Sequence, residues 1–312
     1  MTNTMMALRA HARGGAEQLV YEPAPAPVPG PGEALVEVHA AGITFAELTW
    51  DLSWTTMDGQ DRTPVIPSHE VSGMVAGLGP GASGVTVGED VYGLIEFDRD
   101  GAAAEFVTVP AAHLAAKPKT VSHAEAATLP LAALTAWQAL VDYAALEPGE
   151  RVLVQGGAGG VGGYVVQLAA ILGGEVTATG RAEDRDFVRH LGAASYLAID
   201  DGETAAPATF DVVIDTVGGR VLDASYGLAR RDGRLVTLSA PPDAQRAAEF
   251  GVHAMFFVVT PDAVELARLA ELVDEGKLRP VLSQAFALSD GRLAFESVTK
   301  PRPPGKTVLS IR

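Results

Sequence analysis

From Val152 to Gly162 the chain reads Val-Leu-Val-Gln-Gly-Gly-Ala-Gly-Gly-Val-Gly, a β-branched stretch that runs straight into glycine. Gly157, Gly159 and Gly162 stand at the glycine positions of a G-x-G-x-x-G turn, with Ala158, Gly160 and Val161 between them. The first glycine permits a tight turn, the second lets the backbone approach a pyrophosphate, and the third lets the next helix lie close to the strand. An anion held there rests on unpaired N–H groups at the positive end of that helix. Strand and helix patterns alternate around the loop: strand 151–154, helix 160–172, strand 175–179, helix 181–191, strand 212–215 and strand 235–238. This alternation predicts an α/β fold with a doubly wound parallel sheet.

The end of the second strand discriminates between dinucleotides. An Asp or Glu there bonds the ribose 2′-hydroxyl of NAD, whereas this chain carries Thr179-Gly180-Arg181. With no carboxylate to repel a 2′-phosphate, Arg181 or Arg185 is placed to grip one, and NADPH is the expected cofactor. The alternative is that both arginines lie on a solvated helix face, balancing Glu183, Asp184 and Asp186.

Residues 8–110 read differently, as short strands at 34–39, 71–78, 90–94 and 105–109 broken by Gly-Pro turns. Ser122 and Glu125 form a capping box, from which apolar residues run at helical spacing to Leu140. A domain boundary is expected here. An amphipathic helix at 261–275 and strand-like segments at 285–288 and 307–311 follow the alternating region.

Composition removes several classes. The 23 Lys and Arg against 39 Asp and Glu leave a net charge of −16 without a basic stripe, so nucleic acid is not an expected partner. The chain has no cysteine, which excludes disulfides, thiolate chemistry and every zinc site that needs a Cys ligand. No signal-peptide core and no membrane-length apolar run is present, and a cytoplasmic protein is expected.

The glycine loop, Leu129-Pro-Leu-Ala-Ala-Leu-Thr-Ala-Trp137 before it, Phe256-Phe-Val-Val259 after it and Gly305-Lys306 occur in the order found in a known family. The chain resembles the zinc-independent quinone oxidoreductase and enoyl reductase branch of the medium-chain dehydrogenases. That resemblance implies a GroES-like β-barrel catalytic domain, 1–124 with 256–312, around an NADPH-binding Rossmann domain, 125–255. It also implies that Thr135 lies near the nicotinamide, that Val217, Leu238, Ser239 and Ala240 line the cofactor, and that Phe256, Phe257 and Val258 approach the carboxamide. Lys306 is implied on the cofactor side. Thr135 packing within its helix, and Phe256 and Phe257 lying in a core strand, are the alternatives.

Zinc members of the superfamily carry Cys, His-Glu and Cys at positions that resemble Thr44, His69-Glu70 and Leu131 here. One His and one Glu do not supply three protein ligands, so no metal is expected. Without a Lewis acid, quinones and α,β-unsaturated carbonyls are the tractable substrates, because negative charge spreads by conjugation. Thr44 and His69 are the candidate donors, although some relatives have Asn at the Thr44 position and a nearby Tyr that this chain lacks. The alternative for His69 is a structural pair with Glu70. Phe45, Trp50 and Trp54, with Met57, are candidates to line the substrate pocket, or else belong to a packed surface loop. Reduction of an enoyl thioester in a biosynthetic pathway, or NADPH binding without turnover by a sensor or structural protein, stay open. A strand at 251–259 is expected at a sheet edge, where pairing with a second copy would give a homodimer.

Overall fold

The computed structural model describes residues 4–56, 58–301 and 303–312; Met57 lies outside them. The chain divides into two compact units, Met1–Leu134 with Thr260–Arg312, and Thr135–Val259. In the first unit, β1 (Thr4–Ala10) and β2 (Leu19–Pro25) form an antiparallel hairpin. The wall of the barrel follows: β3 (Glu33–Gly42), β4 (Glu70–Leu78), β5 (Asp90–Leu94), β6 (Phe106–Pro110) and β7 (Leu114–Ala116). Along β3, Ala34, Val36, Val38 and Ala40 are buried in alternation with half-exposed neighbours, the period of two that puts one face on the core. β3 pairs antiparallel with both β4 and β6, and its buried valines join Val71, Val75, Val91, Val107 and Val109 in one cluster.

The capping box forms as predicted, with Ser122 and Glu125 bonded reciprocally at the start of α1 (His123–Ala126). The single helix expected to reach Leu140 is instead interrupted. Pro130 has no N–H for the helical ladder and disfavours helix at the residue before it, so a second helix, α2 (Pro130–Gln138), restarts there and loosens into a π turn at Ala139–Tyr143. His123 sits at the barrel surface with Nδ1 2.8 Å from Ser72 Oγ, Nε2 3.5 Å from Asp90, and its ring 4.3 Å from that of His39. Burial, reinforced by His39, pushes its pKa down to about 4.

The second unit carries β8 (Arg151–Gln155), α3 (Gly162–Ile171), β9 (Glu175–Gly180), α4 (Arg185–His190), β10 (Ser195–Ala198), β11 (Phe210–Asp215), α5 (Arg220–Ser225), β12 (Ala229–Thr237), α6 (Ala244–Phe250) and β13 (His253–Phe256). The strands form one parallel sheet in the order β10-β9-β8-β11-β12-β13. The winding reverses at β8, and the glycine loop lies at the carboxyl end of that strand, where doubly wound sheets bind ligands.

The chain then returns to the barrel unit with α7 (Ala263–Asp274), β14 (Leu282–Ala287), α8 (Gly291–Glu296) and β15 (Lys306–Ser310). Asp262 caps α7 by accepting from Val264 N and Glu265 N, and Tyr92 Oη donates to Leu266 O to fasten that helix to β5. β15 inserts between β14 and β3.

Two expectations change in position. The unit boundaries fall at 134/135 and 259/260, because α1 and the start of α2 are bonded to the barrel; Leu131 N donates to Glu70 Oε1 at 3.0 Å. The edge strand is shorter than 251–259: Gly251, at φ +67°, terminates α6, and β13 stops at Phe256.

Candidate active site

In the nucleotide unit the loop from Gly156 to Val161 is braced from below. Thr179 Oγ1 donates to Gln155 Oε1 at 2.7 Å and accepts from Gly156 N, while Gly157 N donates to Thr179 O at 2.9 Å. Thr179, which the sequence places at the cofactor end of the second strand, thus spends its hydroxyl on tying β9 to the end of β8. A Cβ at Gly157 would lie 2.8 Å from Ala178 Cβ, and one at Gly162 would overlap the Gly156 carbonyl. Both positions exclude any side chain. Among the described residues no hydrogen bond occupies the N–H of Ala158, Gly160 or Val161, and these groups stand at the N-terminus of the ten-residue α3. A cradle of close backbone and unspent donors fits a pyrophosphate.

At the end of β9, a Cβ on Gly180 would overlap Tyr196 Oη, which donates to Arg181 O at 2.7 Å. Burial pushes that phenol up to about 12, keeping it a donor. The Arg181 side chain is more than half exposed and rests on Glu183 at 2.8 Å and Asp184 at 3.5 Å. Arg185, expected as a second grip on phosphate, is engaged elsewhere. It donates to Glu203 at 2.9 Å and lies over the Tyr196 ring.

Across the sheet, Val217 is exposed and close enough that a Cβ on Gly156 would meet its Cγ2 at 2.8 Å. Asp215, fully buried, was not singled out in the sequence, yet it organises this edge. Its Oδ1 accepts from Val217 N and Gly218 N and its Oδ2 from Thr237 Oγ1, while its carbonyl accepts from Leu238 N. Ser239 and Ala240 follow in the open. Thr135 is buried in α2. Phe256 is half-buried at the end of β13 and Val258 is exposed, but Phe257 is a packed residue. It is buried and stacked on Tyr143, centroids 4.2 Å apart.

In the barrel unit, Thr44 and Phe45 follow β3 and are half-buried. Lys306, expected on the cofactor side, turns inward: it is 6% exposed, pairs with Glu70, and donates to Ile43 O at 3.1 Å and Thr44 Oγ1 at 3.3 Å. Burial pushes the Glu70 carboxyl above the usual range, and the Lys306 ammonium opposes that rise.

His69 does not pair with Glu70. Its partner is Glu47, whose Oε2 lies 2.8 Å from Nδ1 and also accepts from Ser68 N; Nε2 faces Arg99 O at 3.2 Å. The ring is 4% exposed, so the expected proton donor is a clamp between the turn at Glu47 and the loop at Arg99. Phe97 packs edge-on against both His69 and Trp50. Trp50 is half-buried, as a pocket wall requires. Trp54 belongs to the core, 2% exposed with Nε1 donating to Leu48 O at 2.9 Å. The Glu47 partner is 22 residues from His69 and carries no local signal.

Residues 30–119 match the alcohol dehydrogenase GroES-like domain and residues 191–309 the zinc-binding dehydrogenase family. The chain is 33% identical, over 93% of its length and 91% of the relative's, to the "Probable zinc-binding oxidoreductase, mitochondrial" of Arthroderma benhamiae. It belongs to the medium-chain dehydrogenase/reductase superfamily. Among solved structures, the quinone oxidoreductase of Coxiella burnetii aligns with a TM-score of 0.89 at 28% identity, covering 99% of this chain and 100% of that one. A mycobacterial protein complexed with NADPH aligns at 0.84 and 28% identity, covering 98% and 100%.

This medium-chain dehydrogenase/reductase is thus an oxidoreductase with a GroES-like barrel and a Rossmann unit. Zinc does not fit its barrel. The chain has no cysteine, both His69 nitrogens face protein acceptors, and an ammonium already lies against Glu70. Among the described residues no group of three His, Cys, Asp or Glu is arranged to hold a metal.

Proposed function

We propose that this protein is an NADPH-dependent, zinc-independent reductase of quinones or α,β-unsaturated carbonyl compounds. The observation that carries this reading is the donor set around Thr44: a hydroxyl beside a buried ammonium, where a zinc enzyme would need thiolate and imidazole. Such a site offers hydrogen bonds and positive charge to an oxyanion, enough for an acceptor whose charge is already spread by conjugation. NADPH would supply hydride to a conjugated carbon of the acceptor, and a solvent proton would complete the two-electron reduction. Thr44 hydrogen-bonds the acceptor oxygen, and Trp50, Phe97 and Phe45 supply an apolar wall.

Ala158, Gly160 and Val161 would hold the pyrophosphate. The preference for NADPH is supported by Arg181: its exposed pair with Glu183 is worth at most about 1 kcal/mol, whereas a hydrogen bond to a charged phosphate contributes about 1.5–3 kcal/mol. The same reading has the protein as a cytoplasmic homodimer, supported by the position of β13 at the end of its sheet.

The test is NADPH oxidation by chelator-treated protein against a panel of quinones, enones and enoyl thioesters. Turnover unaffected by the chelator is expected. Tight NADPH binding with no turnover on any acceptor would replace this reading by that of a non-catalytic NADPH-binding protein.

A further inference from the structure

We propose that Lys306 is a positioning residue that acts through Thr44: held by Glu70, its ammonium donates to Thr44 Oγ1 and turns that hydroxyl into a strengthened donor to the substrate oxygen. The inference rests on the reductase reading above and names the groups that replace the metal.

Three features of the site support it. First, the ammonium has three protons and three acceptors, Glu70, Ile43 O and Thr44 Oγ1, so its direction is set and nothing is left over for the cofactor phosphates. Second, the carboxylate that fixes it is itself fixed, because Glu70 Oε1 accepts from Leu131 N, and Glu70 and Lys306 are 0% and 6% exposed. Third, Thr44 Oγ1 accepts from Lys306 while its own proton meets no acceptor among the described residues, on a side chain that is half-exposed. A hydroxyl that accepts from a cation in a low-dielectric setting is polarised toward giving its remaining hydrogen bond. Charge that collects on a substrate oxygen then meets a donor backed by a positive charge one bond away. No proton need leave Lys306, since the relay works by polarisation and solvent closes the proton balance.

The plain alternative is a staple, with Glu70 and Lys306 merely joining β4 to β15. A double-mutant design separates the two, using the full-length protein saturated with NADPH and whichever acceptor the wild type reduces. Thr44→Val should lower kcat about 10²-fold, the loss typical of one oxyanion donor. Lys306→Met with Glu70→Gln removes both charges together and should lower kcat at least roughly tenfold, with little change in either KM. Combined with Thr44→Val, the pair should cost no more than about a further twofold. Lys306→Gln with Glu70→Gln retains neutral hydrogen bonds, should fold if the Met variant does not, and should show the same loss of kcat.

A charge-free pair that keeps wild-type kcat, or a loss that simply multiplies with that of Thr44→Val, would overturn the relay and leave the reductase reading intact. Wild-type protein that reduces no acceptor would overturn both.

Discussion

The two units place their polar groups by opposite means. In the nucleotide unit the working atoms are backbone N–H groups within one short loop, and the residues that shape them, Gly157 and Gly162, act by having no side chain. In the barrel unit the working groups are side chains brought together from remote segments: Lys306 reaches Ile43 across 263 residues, and Glu47 holds His69 across 22. The first arrangement is sensitive to added atoms and indifferent to distant ones. The second depends on the whole barrel closing around it.

The largest effect that would test this contrast is expected in the barrel. Trp54→Ala leaves a cavity and an unpaired Leu48 carbonyl, and should destabilise the barrel by about 3–5 kcal/mol while NADPH binding persists in whatever protein stays folded. Denaturant unfolding followed with a parallel NADPH titration checks it, and equal loss in both would show that the units do not answer separately. In the other unit, Gly162→Ala adds one carbon where Gly156 O already lies, and should weaken NADPH about 10²-fold. Retained affinity in a titration would break the argument that the loop works by close backbone approach.

Acid should then act on the barrel first. The folded protein disfavours a proton on His123, at about pH 4, while the unfolded chain binds one near 6.5, so that contribution is complete above about 6.5 and is lost as pH falls toward 4. A loss of roughly 1–3 kcal/mol is expected over that window, and His123→Asn should flatten the pH dependence of unfolding. The smallest effect is Arg181→Ala, which should weaken NADPH roughly tenfold and NADH hardly at all. Equal losses for both dinucleotides would remove the 2′-phosphate from Arg181.

The same contrast explains what could be read from the sequence. The glycine loop, the strand and helix alternation and the Ser122 capping box are local, and each was legible because its residues are neighbours along the chain. Arg181 was legible as a residue type at a spacing. Arg185 was not, because its commitment to Glu203 and the Tyr196 ring is made by the fold of β10. Trp54 reads as a pocket residue beside Trp50, and only the packed barrel shows one ring facing the core and the other facing Phe97. His69 invites pairing with adjacent Glu70, but His69 lies just before β4 and Glu70 opens the strand, and each finds a partner of its own, Glu47 and Lys306. Asp215 and Thr237 gave no signal, since a buried carboxylate that serves backbone N–H groups has no spacing rule.

The position of β15 has a consequence for how the chain is made. Its pairing partner β3 is synthesised early, and the strand that lies beside it comes after the entire nucleotide unit. At about 5–20 residues per second, the 263 residues between Ile43 and Lys306 represent roughly 13 to 53 seconds of translation. Until Lys306 is made Glu70 awaits its cation and β3 shows a bare edge, whereas the inserted unit has every strand it needs once Phe256 is in place. The barrel is therefore begun first and completed last, after the nucleotide unit, and the lysine that closes it is the one that equips Thr44.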